Sequence, residues 1–428
     1  MAEASAIPKQ APSEQSRSAR SLLRSLEVDT RLLGLIAAMV VIWIGFDIMS
    51  GGLFLTPRNL WNLSVQSASV AIMATGMVLV IVSRNIDLSV GSVLTLTAMT
   101  MAMLQTEWLP TLLGIGVNQP YTWAIALALG LLLGAAIGGL QGFIIAYVGV
   151  PSFIVTLGGL LIWAGLAFEE ALGRTISPLD TTFQLLGGGP VGSLGEMASW
   201  LLGIVACIVI VYSLVASRRR RRRYGFQVRP MWAEATVLVV SCGAVLGAVF
   251  VANSYPWPEA LAAQYGKPPN TPVGIANPVL IALGVAVLMT ILATRRRFGR
   301  YVFAIGGNPD AAELGGINTR RTIMLTFVIM STLAAVSGAV LSARLNAAVV
   351  GLGTQSELYV IAAAVIGGTS FAGGIGTIPG AILGAVVMQS LQSGMVLLKV
   401  DSPIQDIVVG IVLVSAVGID AVLRRRSR

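Results

Sequence analysis

The 428-residue chain has no histidine, two cysteines (Cys207 and Cys242) and three lysines (Lys9, Lys267 and Lys399). Without imidazole it lacks the usual proton carrier of neutral pH and a common metal ligand. Both cysteines lie in apolar runs, with no disulfide framework and no zinc spacing. The phosphate-binding signature GxxxxGK[ST] needs Gly-Lys followed by a hydroxyl residue; Gly266-Lys267 is followed by Pro268, so the signature is absent. Charge is scarce as well. Only 11% of residues are charged, against about 25% in a soluble domain. Hydrophobic residues make up 55% and the mean hydropathy is +0.83. So little polar surface argues against a soluble enzyme, a disordered protein and a DNA-binding regulator. With no nucleophile–base pair and no metal cluster, a membrane enzyme is disfavoured too.

What is present is a series of apolar runs, each long enough for a helix to cross the roughly 30 Å hydrocarbon layer. The expected fold is all-α, a polytopic transmembrane helical bundle. Spans are expected near 32–50, 62–83, 88–106, 122–148, 151–168, 199–216, 233–253, 275–293, 322–342, 357–373, 376–398 and 403–422, about 12 in all (10–12). The close pairs 62–83/88–106, 122–148/151–168 and 357–373/376–398 can hide broken or re-entrant helices. Residues 1–31 are rich in Ser, Ala, Gln and Arg and read as a disordered cytoplasmic tail. Residues 32–428 form the membrane domain, with a cytoplasmic Arg-rich loop at 217–232 and a second cytoplasmic loop at 294–321.

Cations set the orientation. With both termini in the cytoplasm, 23 of the 28 basic residues fall inside, and only Arg58, Arg174, Lys267, Arg344 and Lys399 fall outside. The net charge of +9 is therefore read as topogenic and lipid-facing, with no nucleic-acid partner. Of the acids near membrane depth, Asp47, Asp406 and Asp420 lie near span ends, and Glu169 and Glu170 close a span. None sits at a bilayer centre with a partner, which counts against ion coupling.

Gly130, Gly134, Gly138 and Gly142 share one helix face, as do Gly376, Gly380 and Gly384. Such stripes let helix backbones pack closely in lipid, with a glycine-lined solute path as the other reading. Two breaks interrupt the apolar runs. In the first, Ser83-Arg84-Asn85-Ile86-Asp87-Leu88-Ser89-Val90-Gly91-Ser92, either Asp87 or Ser89 can cap the helix that follows. The second contains Gly367, Gly368, Gly373, Gly374 and Gly376, and glycine-rich backbone at membrane depth must be shielded by protein or line a cavity. Both units run from an apolar stretch through a break to a small-residue helix, the outline of a distant internal repeat. Between the spans at 275–293 and 322–342, Asn308 is suited to an N-cap and Pro309 to the first helical position. Asp310 complements the positive end, and Gly315 is a stop. A helix of about two turns over Pro309, Asp310, Ala311, Ala312, Glu313 and Leu314 is too short to stand alone. It must dock on its own bundle or on another subunit.

At these residues the chain resembles the permease subunits of bacterial ABC importers for ribose, xylose and galactose. The matching stretches are Ile86-Asp87-Leu88-Ser89-Val90-Gly91-Ser92, Val150-Pro151-Ser152-Phe153-Ile154-Val155-Thr156-Leu157-Gly158, Ala304-Ile305-Gly306-Gly307-Asn308-Pro309 and Val365-Ile366-Gly367-Gly368-Thr369-Ser370-Phe371-Ala372-Gly373-Gly374. The resemblance runs from about residue 55 to the C-terminus. It is greatest to the xylose type, on the cluster at Val150-Pro151-Ser152-Phe153 and the arginine-rich insertion with its extra hydrophobic pair. The chain departs at Arg84-Asn85, more basic than the family pattern, at the uncharged Tyr147-Val148-Gly149 and at Glu313, where a basic residue is common. The resemblance implies a permease of the inner membrane, working by alternating access as a homodimer or pair. Its implied partners are cytoplasmic ABC ATPase subunits and a periplasmic or lipid-anchored sugar-binding protein. No cofactor or metal is expected in this chain, ATP and Mg being bound by the ATPase. The helix at 308–315 would be the coupling helix. For a neutral sugar, hydroxyl partners are sought on the spans: Gln66, Asp87, Ser92, Thr95, Gln141, Thr156, Trp163, Gln389 and Gln392. Helix–helix hydrogen bonding is the other reading of each.

Overall fold

The computed structural model describes residues 30–425, and the side chains of residues 32–418. Most of the tail expected over residues 1–31, and the side chains of Asp420 and of the arginines at 424–428, lie outside that range. Apart from short helices at Leu109–Leu113, Thr181–Gln184 and Glu259–Gln264, the helices in chain order are α1 (Thr30–Met49), α2 (Pro57–Val82), α3 (Val90–Met103), α4 (Thr122–Phe143), α5 (Ser152–Ala171), α6 (Glu196–Arg223) and α7 (Met231–Asn253). Then come α8 (Asn277–Thr294), α9 (Arg297–Gly307), α10 (Pro309–Leu314), α11 (Thr319–Leu345), α12 (Ser356–Ile366), α13 (Ile378–Leu397) and α14 (Ser402–Arg425). A π-turn at Leu104–Trp108 extends α3, and another at Ile144–Val148 extends α4.

Among the described residues, nine helices are long and apolar enough to cross a membrane. The other three expected spans fall on α3, α12 and α14. The span expected over 357–373 is not one helix. α12 stops at Ile366 after 11 residues, and residues 367–377 continue as irregular backbone. Gly368, Gly373 and Gly374 all adopt positive φ there, which a helix cannot accommodate. The broken-helix expectation at this glycine cluster is what the structure contains. Its counterpart, α2–break–α3, shares the outline, but α2 has 26 residues.

The helix α2 is the hub. Its apolar window is 94% buried, and α8, α11, α12 and α13 all pack against it. Beside it, α4 lies on α11 along the first glycine stripe. A Cβ at Gly134, Gly138 or Gly142 would run into the α11 backbone at Ser331, Phe327 or Met324, and one at Gly130 into the Met101 side chain. Likewise, Gly380 and Gly384 face the backbone of Gly367 and Ala363, seating α13 on α12, while Gly376 packs on Val82 and Thr369. Close packing of backbones is thus the work of both stripes.

The helices α6 and α7 pack mainly on each other and keep 11% and 6% of their apolar windows buried. They are a peripheral hairpin whose apolar faces point outward, the arrangement lipid permits. The six arginines expected in a loop at 217–232 instead extend α6 to Arg223. Arginine is a good helix former, and cations in a last turn offset the helix's negative end. Arg218 also pairs with Glu234 of α7. The loop expected over 294–321 is likewise mostly helical, as α9 and α10.

Candidate functional site

A polar cavity of about 550 Å³ lies at the end of the bundle away from the arginine clusters. From α2 it receives Asn59, Asn62 and Gln66; from α13, Gln389, Gln392 and Ser393; from the first turn of α12, Ser356 and Tyr359. Ser69 of α2, Arg344 of α11 and Thr354 of the following loop complete its polar wall, and Val70, Leu341, Leu352, Val396 and Leu397 supply apolar surface. Gln389 donates to Gln392 Oε1 at 3.0 Å and Ser393 donates to Asn59 Oδ1 at 3.1 Å, which orients part of the wall. The side chains of Asn62, Gln66, Thr354 and Ser356 bond to no other described residue. They present free donors and acceptors to whatever fills the space. None of the lining residues is acidic.

Three of the nine residues sought for hydroxyl recognition, Gln66, Gln389 and Gln392, line this cavity. The other six do not. Asp87 and Gln141 are buried in a network in which Ser89 Oγ donates to Asp87 Oδ1 at 2.7 Å and Gln141 Nε2 donates to Ser89 Oγ at 3.0 Å. Thr156 Oγ1 donates to Ser152 O at 2.8 Å and lies 3.3 Å from Ile86 O, tying the break to α5. Trp163 packs against the core, its indole nitrogen beside Gly159. Ser92 donates to Ser89 O. Thr95 donates to Gly91 O and accepts from Gly353 N, holding the 353 loop so close to α3 that a Cβ on Gly91 would meet the Gly353 carbonyl. Gln141, Thr156 and Thr95 thus join separate segments, the other reading given to each, whereas the bonds of Asp87 and Ser92 stay within their own turn and the buried Trp163 Nε1 has no hydrogen-bond partner among the described residues.

Sequence reasoning missed Asn59, Asn62, Ser69, Arg344, Thr354, Ser356, Tyr359 and Ser393. Asn59, Asn62 and Gln66 recur at i, i+3 and i+7 on one face of an otherwise apolar helix, as do Gln389, Gln392 and Ser393 at i, i+3 and i+4. That polar periodicity was a readable signal.

The first break also differs from expectation. Ser89 precedes α3, but its side chain makes no capping bond. Asp87 Oδ1 instead accepts from Ser89 N at 2.9 Å, closing the turn ahead of the helix. At the arginine-rich end, three segments meet. Arg84, in the left-handed region at φ 63°, donates from Nε to Gly306 O and from Nη2 to Gly307 O, both at 2.8 Å. Gly374 N donates to Val82 O at 3.0 Å. A Cβ on Gly306 would collide with Val82 O and crowd Gly374 N. The end of α2, the end of α9 and the glycine break after α12 therefore share one joint.

From that joint α10 projects. Asn308 Oδ1 accepts from Ala311 N at 3.0 Å, capping the six-residue helix, and Pro309 stands at its first position. Gly315 ends it in a right-handed conformation, and Gly316, at φ 80°, makes the left-handed turn that a stop requires. Ala312 is buried against the bundle, whereas Leu314 is 90% exposed. The small apolar face is thus split, with one side docked and one bare.

The description "Branched-chain amino acid transport system / permease component" belongs to the family that matches residues 59–417. The chain is 37% identical to the xylose transport system permease protein of Haemophilus influenzae, over 92% of this chain and 96% of that one. It is 32% identical to the ribose import permease protein of Escherichia coli over 86% of this chain and 87% of that one. With the D-allose transport system permease protein of the same organism, identity is 27% over 89% and 88%. No solved structure matches significantly. A helical bundle with nine membrane-length helices among its described residues, a polar cavity with no acidic lining residue and relatives named throughout as permeases make this chain a multi-pass member of the bacterial transport-system permease family, not an enzyme.

Proposed function

We propose that this chain is the permease subunit of an ATP-binding-cassette importer and carries a monosaccharide, xylose or a related aldose, across the inner membrane by alternating access. The observation that carries the reading is the cavity wall, amides, hydroxyls and one guanidinium with apolar patches and no carboxylate. A neutral sugar needs this chemistry: paired donors and acceptors for its hydroxyls and an apolar surface for its ring. An ion-coupled carrier normally places an acid at such a site. The xylose, ribose and allose permeases among its relatives agree with a sugar.

Both termini are placed in the cytoplasm, so that the arginine-rich end faces inward and the cavity outward. Cytoplasmic ATPase subunits, which bind ATP and Mg, then dock on α10 through Leu314, and a periplasmic or lipid-anchored sugar-binding protein delivers to the cavity side. Two copies of the permease would serve one transporter. Displacement of α10 passes through α9 to the joint at Arg84, Gly306 and Gly374. From there it reaches α12 and α13, which supply part of the cavity wall. The chain makes no covalent bond with its cargo; it favours one of two packings when its partners bind.

The test is reconstitution. Vesicles holding permease, ATPase and binding protein are expected to accumulate labelled xylose only with ATP. Accumulation by the permease alone under an ion gradient would replace this reading with a secondary carrier.

A further inference from the structure

Arg344 sits in the last turn of α11 and lines two spaces. One is the 550 Å³ cavity. The other is a space of about 410 Å³ beneath the loop at 181–192, walled by Thr181, Gln184 and Asn346 among others. Its guanidinium has no hydrogen-bond or ion-pair partner among the described residues, and the walls of both spaces contain no acid. A half-buried guanidinium has five donors to satisfy. With no internal acceptor, those donors are left for water or for a solute in transit.

The backbone beneath it is held firmly. Gly187 lies against the Arg344 main chain so closely that no Cβ fits. Leu179 N donates to Asn346 Oδ1 at 2.8 Å. Ile176 and Ala348 exchange backbone bonds at 3.0 Å. The loop is strapped across the end of α11, so the arginine is a fixed post with a free head.

We propose that Arg344 is the specificity-determining residue of the cavity mouth, donating hydrogen bonds to sugar hydroxyl oxygens as the solute passes from the outer space into the amide-lined cavity. This inference rests on the sugar-permease reading above. The two N–H edges of a guanidinium form a planar fork that grips two adjacent oxygens of a polyol at once, which a lysine cannot reproduce. The substrate class is a neutral vicinal polyol. A solute lacking one hydroxyl leaves a donor unpaired and enters less readily.

The experiment uses the complete transporter in vesicles, with saturated binding protein. It measures uptake of xylose and of its monodeoxy analogues for wild type, Arg344→Gln and Arg344→Lys. The binding protein's own preference is common to all three, so a change in the xylose-to-deoxy ratio isolates the permease. The ratio is expected to fall at least threefold in Arg344→Gln and by a smaller factor in Arg344→Lys. A purely structural role would lower both uptakes together and leave the ratio alone, which overturns the proposal while the sugar-permease reading stands. If Arg344→Gln fails to assemble, the ratio in Arg344→Lys decides the matter. If the wild type imports no sugar, the sugar-permease reading falls and this inference with it.

Discussion

Arg84 donates two hydrogen bonds, each of 2.8 Å, to the carbonyls of Gly306 and Gly307. One guanidinium at the end of α2 thereby satisfies two carbonyls left open where α9 terminates. The arginine that departed from the family pattern thus has a structural role, fastening the segment that leads into α10 to the hub helix.

Replacing Arg84 by Ala removes both bonds. Hydrogen bonds to charged groups contribute about 1.5–3 kcal/mol each, so the joint is expected to loosen without loss of the bundle. ATP hydrolysis by the assembled complex should persist while uptake per ATP falls several-fold. Wild-type coupling in Arg84→Ala would show that force does not pass through this contact.

Leu314 is almost fully exposed on α10. Changing it to Asp touches no internal contact and should shift thermal stability by less than about 0.5 kcal/mol. Co-purification with the ATPase subunit is nevertheless expected to be lost. Asn308→Ala, which removes the cap bond to Ala311 N, costs about 1 kcal/mol in the same short helix and should weaken the association in a graded way. Intact binding by Leu314→Asp would move the docking surface elsewhere.

In the cavity, Gln66 has no internal partner among the described residues, whereas Ser393 is engaged with Asn59. Gln66→Leu keeps the volume and deletes one hydrogen-bonding group. At about 0.5–1.5 kcal/mol per bond, uptake of labelled sugar at limiting supply should fall roughly two- to tenfold, with the complex intact by gel filtration. Unchanged uptake would remove Gln66 from the path.

Gly138 allows α4 to touch the α11 backbone at Phe327. Gly138→Leu forces the helices apart, an overpacking that costs about 1–3 kcal/mol or more. A lowered melting temperature in detergent is expected, whereas Gly139→Leu, next to it but facing only the Val328 side chain at 3.9 Å, should be milder. Equal effects at the two positions would argue against the stripe as the packing seam.

Composition and residue spacing already specify the solvent this chain folds in and the places where helices break. Scarce charge and repeated apolar runs demand a membrane. Helix-scale glycine spacing demands close backbones. Asn308-Pro309 specified α10, because capping is a local property of neighbouring residues. Which polar residues share a cavity and which hold helices together depends on how the helices pack. Gln66 and Gln141 look alike in sequence, each an amide on an apolar helix; one opens to a cavity that the start of α12 and the face of α13 wall off with it, and the other is consumed by Ser89 across a helix junction. The same holds for Arg344 and Arg84, whose roles depend on partners drawn from remote parts of the chain. Contact between such distant segments is fixed by how whole helices pack, and local spacing carries no record of it.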